Sequence, residues 1–387
     1  MSKISPKIAY LGIICFGLIS LAGDIIYEGA RSVIPQYLYF LGAPAIIVGS
    51  IIGLGEFFGY GLRLLSGILA DIFRRYWLFT FIGYLLLIAV PLMAFTGNWQ
   101  LALILILIER FAKAIRSPAR DTLISHISSS VGTGKAFGIH ELMDQIGAIG
   151  GPAIVAATLY LTGGIYSQAF IILFIPYLLL VLALMTAYIK LKTYTRDLTG
   201  KKGAFRKLTV KALPLEFKLY SIAVLINTAG LIHISLILYK AAPQMVSWLI
   251  SIIYLAAQAI DATIAPIAGL TYDKIGRKTL IIPFILSILP SILTLTGQFN
   301  LIILAALTFG IILGMQESIY RAAVSDLSST EYRGLAYGIF YVSYGIGFII
   351  SGAIFGYFLD YKLFIPATIY TIIMQVIATI ILIKSLK

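Results

Sequence analysis

Cysteine is almost missing from this chain. Cys15 is the only one in 387 residues, which excludes an intrachain disulfide and a thiolate metal cage and leaves Cys15 a small apolar packing residue. Histidine is scarce as well, with three copies. Charge is the most telling shortage. Charged residues make up 12% of the chain, against roughly 25% in soluble domains, so water is not its main solvent. An H-E-x-x-H pair, a P-loop and a Gly-x-Ser-x-Gly elbow are all absent, so catalysis has no handle here. Neither an enzyme nor a bound cofactor or metal is expected. The first apolar run contains Asp24 and Glu28 and is too long for a signal-peptide core, so a cleaved leader is not expected.

What the chain does have is apolar length. It is 60% hydrophobic with a mean hydropathy of +0.99, and its apolar runs reach the ~20 residues that span a bilayer core. Twelve spans are expected near 8–40, 44–72, 76–95, 99–128, 134–162, 165–192, 215–240, 243–271, 277–296, 299–328, 333–359 and 363–386. The first should bend near Gly23 or Gly29, or end at Pro35. Trp77, Trp99 and Trp248 fall near span ends, at headgroup level. The net charge of +13 sits in alternate loops, around Arg74 and Arg75, from Lys190 to Lys218, and around Arg277 and Lys278. That is the positive-inside pattern. It excludes a nucleic-acid partner and places both termini and the long middle loop on the cytoplasmic side of a cell membrane. Basic loops also favour anionic lipid of the surrounding bilayer. A monomer is expected.

The chain repeats itself. Gly67, Asp71 and Arg75 recur as Gly269, Asp273 and Arg277 at an offset of 202. Arg120 recurs as Arg321 at 201, and Gly134 and Gly138 recur as Gly334 and Gly338 at 200. Three landmarks in one order at one offset describe a parallel repeat. The expected organisation is an N-terminal six-helix bundle over 1–192, a cytoplasmic linker over 193–214 and a C-terminal six-helix bundle over 215–387. An all-α membrane protein of two pseudo-twofold bundles follows. An acid at a helix end can accept hydrogen bonds from free N–H groups at another helix's start. By symmetry Asp71 is expected to reach the start of the eleventh span near 331–334, and Asp273 the start of the fifth near 132–134. Such contacts would latch the cytoplasmic side.

The stretch Gly269-Leu-Thr-Tyr-Asp-Lys-Ile-Gly-Arg-Lys278 resembles the signature that follows the second helix in the major facilitator superfamily, Gly-x-Leu-Ala-Asp-Arg-x-Gly-Arg-Arg/Lys. The copy at Gly67 keeps Gly-Ile-Leu-Ala-Asp71 but has Ile72 for the first basic residue and Arg74 for the second glycine. Arg116-Ser-Pro-Ala-Arg-Asp121 and Gly138-Ile-His-Glu-Leu-Met-Asp144 are similar to a widespread prokaryotic branch of that superfamily. The resemblance spans nearly the whole chain. It implies a secondary transporter moving a small solute by alternating access, with export slightly favoured. The signature residues Gly67, Asp71, Arg75, Gly269, Asp273, Gly276 and Arg277 are expected to form the cytoplasmic gate, and Arg116, Arg120 and Arg321, near cytoplasmic helix ends, are expected to serve gate salt bridges or lipid anchoring.

Ionisable residues inside a bilayer cost about 2.5–3.5 kcal/mol each on insertion scales and are functional candidates. Asp24, Glu28, Glu56, Glu109, Arg110, Asp144, Asp261 and Glu317 fall closest to mid-membrane and are the candidates for proton coupling or the substrate cavity. Structural pairing competes with that role for Glu28 with Arg31 and for Glu317 with Arg321. Asp24, Glu56 and Asp144 are the first choices, since helical spacing offers them no opposite charge except His140 beside Asp144. Tyr27, Tyr60, Tyr320, Tyr341 and Tyr344 share helices with these charges and are candidate cavity residues. Two other readings stand. One is a membrane-embedded enzyme with a metal at His140, Glu141 and Asp144. The other is a receptor or scaffold that no longer transports.

Overall fold

The structure is a computed structural model that describes residues 4–195, 213–329 and 331–386. Most of the expected linker over 193–214, with its basic cluster, lies outside the described residues. The first half holds α1 (Pro6–Phe40), α2 (Ala45–Phe73), α3 (Tyr76–Phe95), α4 (Trp99–Ile127), α5 (Thr133–Leu161) and α6 (Tyr166–Leu191). The second half opens with α7, which is Leu215–Ala229 followed by Ile234–Ala241. It continues with α8 (Ser247–Ile275), α9 (Ile281–Leu286 and Ile288–Leu295), α10 (Phe299–Asp326), α11 (Arg333–Asp360) and α12 (Phe364–Ser385). Every expected span is present within a few residues of its expected ends.

Two details differ from expectation. Helix α1 does not stop at Pro35 but runs through it to Phe40. Within a membrane protein, neighbouring helices and side chains can satisfy what a proline leaves open, and a continuous helix is tolerated. Helix α7 is interrupted between Ala229 and Ile234, where an unbroken span was expected. Hydroxyl groups of other helices match backbone groups freed there. Ser291 Oγ accepts from Ile232 N–H at 3.0 Å, Ser351 Oγ donates to Leu231 O, and Tyr370 OH donates to Ala229 O at 3.0 Å. The break persists because few of its polar groups face hydrocarbon unpaired.

The chain forms two compact units. Unit 1 is Met1–Val33 with Gly61–Phe205; unit 2 is Ile34–Tyr60 with Arg206–Lys387. The end of α1, the turn after it and the first half of α2 therefore pack with second-half helices. In unit 1, small residues bring helices close. A Cβ on Gly147 of α5 would stand 2.6 Å from Leu21 O of α1, and one on Gly83 of α3 would stand 2.7 Å from Ala112 O of α4. Backbones approach this closely in membranes because dispersion, not hydrophobic burial, holds helices together.

In unit 2, Gly49 of α2 and Gly352 of α11 touch backbone to backbone. The Asp360 carboxylate, at the end of α11, accepts from the N–H groups of Ala45 and Ile46 at 2.8 and 2.9 Å. It thus caps the start of α2. Tyr239 OH donates to Ala43 O at 2.7 Å, and Gln36 Nε2 donates to Ser247 O at 3.1 Å. Beneath these lies an aromatic core that includes Phe217, Tyr220, Phe284, Tyr320, Phe340 and Tyr344.

Candidate functional site

Helical spacing puts Asp24, Tyr27, Glu28 and Arg31 on one face of α1, since residues three, four and seven apart stack on one side. The stripe Glu109, Lys113, Arg116 and Arg120 does the same on α4, with Arg110 beside it. Both faces belong to unit 1, and they meet around Tyr27. That ring is 2% exposed. Lys113 Nζ lies 3.8 Å from its centroid, Arg31 Cζ at 4.4 Å and Arg110 Cζ at 5.0 Å. Arg110 also donates to the Tyr27 hydroxyl. Each desolvated cation–π contact is worth up to about 2 kcal/mol, and carboxylates offset the mutual repulsion. Glu28 lies 3.9 Å from Arg31, the pair expected from their spacing, and Glu109 lies 3.4 Å from Arg110.

Next to this cluster, α5 brings up a second pair. His140 Nδ1 is 3.4 Å from Asp144 Oδ2. A Cβ on Gly147, one turn beyond Asp144, would lie 3.0 Å from Asp24 Cβ, so Asp24 and Asp144 are neighbours across the α1–α5 contact. Arg120 reaches Asp121 at 2.8 Å and donates to Ser20 Oγ at 3.2 Å. Glu141 is exposed and accepts from Gln145 at 3.5 Å. The His140–Glu141–Asp144 set considered for a metal is therefore split, and among the described residues no three such side chains gather.

Unit 2 is built differently. Glu56 of α2 meets His233 at the break of α7, with Oε1 3.8 Å from Nε2. His233 Nδ1 accepts from Ser235 N–H at 3.2 Å, which places the neutral ring's proton on Nε2, toward Glu56. The same unit also holds a network of neutral polar groups. Asn227 Nδ2 donates to Gln375 Oε1 at 2.7 Å, Tyr320 OH donates to Asn227 Oδ1 at 2.9 Å, and Tyr344 OH donates to Gln316 Oε1 at 2.8 Å. Gln316–Tyr320 is a π-helical turn in α10, a form frequent at functional sites. Of the tyrosines proposed for a cavity, Tyr27 belongs to the ionic cluster of unit 1. Tyr60 stacks on Tyr341 and sets its edge to Tyr344, both at 5.5 Å, in unit 2. Asp261 is buried on α8. Arg321 donates to the main-chain oxygen of Glu317.

Sequence reading missed His233 as a partner of Glu56, and it missed the Asn227–Gln375 network. The available signal was Asn227, Gly230 and His233 standing at three-residue spacing in an otherwise apolar run.

The two signature turns keep their symmetry. A Cβ on Gly67 would meet Pro118 at 3.3 Å, and one on Gly269 would meet Ser318 at 3.1 Å, residues again offset by about 200. Gly276 has φ +75°, and Arg74, which occupies the corresponding place, has φ +53°. The irregular copy thus keeps the left-handed turn without its glycine. Asp71 accepts from Tyr76 OH at 2.8 Å, and Asp273 and Arg75 are exposed. Arg277 lines a cavity of about 360 Å³ with Glu216 and Asp326. Arg116, expected at a cytoplasmic helix end, is 3% exposed and lies 5.0 Å over the Tyr84 ring.

The family model of the Major Facilitator Superfamily matches residues 13–239 and 219–386. The chain belongs to the major facilitator superfamily. An uncharacterised protein of Mycobacterium tuberculosis is 37% identical over 353 residues, covering 89% of this chain and 86% of that protein. An uncharacterised MFS-type transporter of Methanocaldococcus jannaschii is 30% identical over 353 residues, covering 88% and 86%. Among solved structures, a mutant of the nucleoside transporter NupG superposes with a TM-score of 0.74 at 16% identity, covering 96% of this chain and 99% of that one. A mutant of the peptide transporter POT superposes with 0.72 at 14% identity, covering 97% and 93%. These likenesses establish the twelve-helix fold of the superfamily. The chain is a multi-pass membrane protein built as a secondary transporter.

Proposed function

We propose that this major facilitator protein carries a small solute across the cell membrane by alternating access and couples the movement to protons. The observation that carries the coupling is the adjacency of Asp24 and Asp144 across the α1–α5 contact, with His140 3.4 Å from Asp144. Two carboxyl groups sharing one low-dielectric site take up and release protons as a pair. A pair whose surroundings change between conformations links proton binding to the conformational cycle. Glu56 with His233 is the second proton candidate, on unit 2.

On this reading the signature turns around Asp71 and Asp273 are the cytoplasmic control points, both termini face the cytoplasm, and the protein works as a monomer. Export is the direction that the resemblance favours.

Reconstituted into proteoliposomes, the protein is expected to move its solute faster when a pH gradient is imposed. Asp24→Asn and Asp144→Asn are each expected to lower gradient-driven flux by at least about tenfold, the equivalent of one lost charged interaction. Flux indifferent to the gradient would refute the coupling. The side on which solute accumulates fixes the direction.

A further inference from the structure

The cations of unit 1 outnumber the carboxylates that face them. Glu109 is flanked by Arg110, Arg31, Arg116 and Lys113. Lys113 in turn faces Arg31 and Arg63 on the basic side, and Glu28 and Asp24 on the acidic side. Asp144 faces Lys113 as well, so five cations, Arg31, Arg63, Arg110, Lys113 and Arg116, surround four carboxylates, Asp24, Glu28, Glu109 and Asp144, a surplus of one positive charge in this region of unit 1.

Two of those cations have bonding capacity to spare. Lys113 Nζ rests on the Tyr27 ring at 3.8 Å, and among the described residues it makes no hydrogen bond and no ion pair. An ammonium group carries three donors, and a ring face satisfies none of them as an acceptor oxygen would. Lys113 is half-buried, less enclosed than Arg116. One turn along α4, Arg116 is 3% exposed, and its Nη1 has no hydrogen-bond partner among the described residues. A buried guanidinium nitrogen left unmatched is costly to hold. Lys113 and Arg116 sit three residues apart on one face of a rigid helix, with Arg110 and Arg31 locked beside them by Tyr27 and Glu28. Unfilled N–H donors, surplus positive charge and fixed geometry describe a receptor for an oxyanion.

We propose that Lys113, seated on the Tyr27 ring beside Arg31 and Arg110, and Arg116, one turn along α4 over the Tyr84 ring, bind the anionic group of the transported solute, a carboxylate or a phosphate-type oxyanion. The assignment rests on the transporter reading above and names its substrate class. Tyr27 is the platform: it holds three cations in one place and leaves the Lys113 ammonium free to turn toward an anion. Lys113 is the entry contact, because it is the more exposed of the two. Arg116 supplies the buried planar donor behind it.

The test uses the full-length protein in detergent and follows thermal unfolding against three matched sets of small solutes: carboxylates and phosphate monoesters, primary amines, and uncharged alcohols. Stabilising ligands are expected in the oxyanion set, with binding that weakens as salt rises. Lys113→Gln is expected to weaken that binding by at least about tenfold, the loss that goes with one charge-assisted hydrogen bond, and Lys113→Arg to retain it. Wild-type binding and its salt dependence decide the matter even if Lys113→Gln does not fold. Stabilisation by amines or alcohols in place of oxyanions overturns the assignment. So does the absence of any oxyanion ligand at millimolar concentration, and so does oxyanion binding that Lys113→Gln leaves unchanged. Flux of an uncharged solute without oxyanion binding overturns this assignment and leaves the transporter reading standing. Oxyanion binding without flux of the bound solute keeps an oxyanion site at Lys113 and overturns both the transporter reading and the claim that the bound anion is its cargo.

Discussion

In unit 1 the polar groups of α1 and α4 form ion pairs, Glu28 with Arg31 and Glu109 with Arg110, and α5 adds the Asp144 carboxylate beside the His140 ring. In unit 2 α7, α10, α11 and α12 share a network of amides and phenols, Asn227 with Gln375 and Tyr320, and Gln316 with Tyr344, beside the buried Glu56, His233 and Asp261. The two halves of one sequence repeat have diverged in how they hold polarity away from water. A neutral hydrogen-bond network is insensitive to protons. Ions in a membrane cost about 2.5–3.5 kcal/mol each on insertion scales, and such a cost persists where charge is used. On the proposed reading, solute and proton handling belong to unit 1. To unit 2 belongs the upkeep of a broken helix, with Glu56 and His233 as its one carboxylate–imidazole contact among the described residues.

The sharpest way to break this contrast is to damage each network in kind. Asn227→Leu removes the partner of both Gln375 and Tyr320 and strands buried polar groups, each costing about 1–3 kcal/mol. It is expected to lower the unfolding temperature in a calorimetric or fluorescence scan while leaving the pH dependence of flux in place. Asp24→Asn and Asp144→Asn are expected to do the opposite, sparing the melt and flattening the pH response. A smaller effect is expected at the α2 cap. Asp360→Ala deletes two hydrogen bonds to the start of α2 and should cost about 1 kcal/mol of stability, in the range of N-cap deletions. The smallest concerns the paired turns. Arg74 carries a left-handed φ that Gly276 adopts without penalty. Arg74→Gly is therefore expected to be stabilising and Gly276→Ala destabilising, each by about 1 kcal/mol, read as opposite shifts in unfolding temperature.

Much of this architecture was legible in the residues. The spans are bounded by Gly, Pro and Asn turns, and α4 illustrates how well they read: it was expected over 99–128, and Asn98 caps it at Leu101 N–H. Ion pairs within one helix were legible because spacing alone brings their partners together, as with Glu28 and Arg31, and with His140 and Asp144. Contacts between helices were not. Glu56 and His233 stand far apart in the chain, and only packing joins them. The interruption of α7 was hidden because its residues are as apolar as those around it, and the hydroxyls that satisfy it come from α9, α11 and α12. Arg116 was placed at a helix end by counting residues; its burial depends on the room that Gly83 leaves on α3. Pro35 looked like a stop because a proline removes a donor, yet α1 runs past it.

The division of labour between the units is tested most directly by counting protons moved per solute in proteoliposomes that carry an internal pH dye. The wild-type protein should show a fixed ratio. Asp24→Asn and Asp144→Asn should abolish proton movement, and Asn227→Leu and Gln375→Leu should keep the ratio at a reduced amount of folded protein. A ratio that survives the two unit 1 substitutions but disappears on replacing Glu56 or His233 would contradict the account and move proton coupling to unit 2.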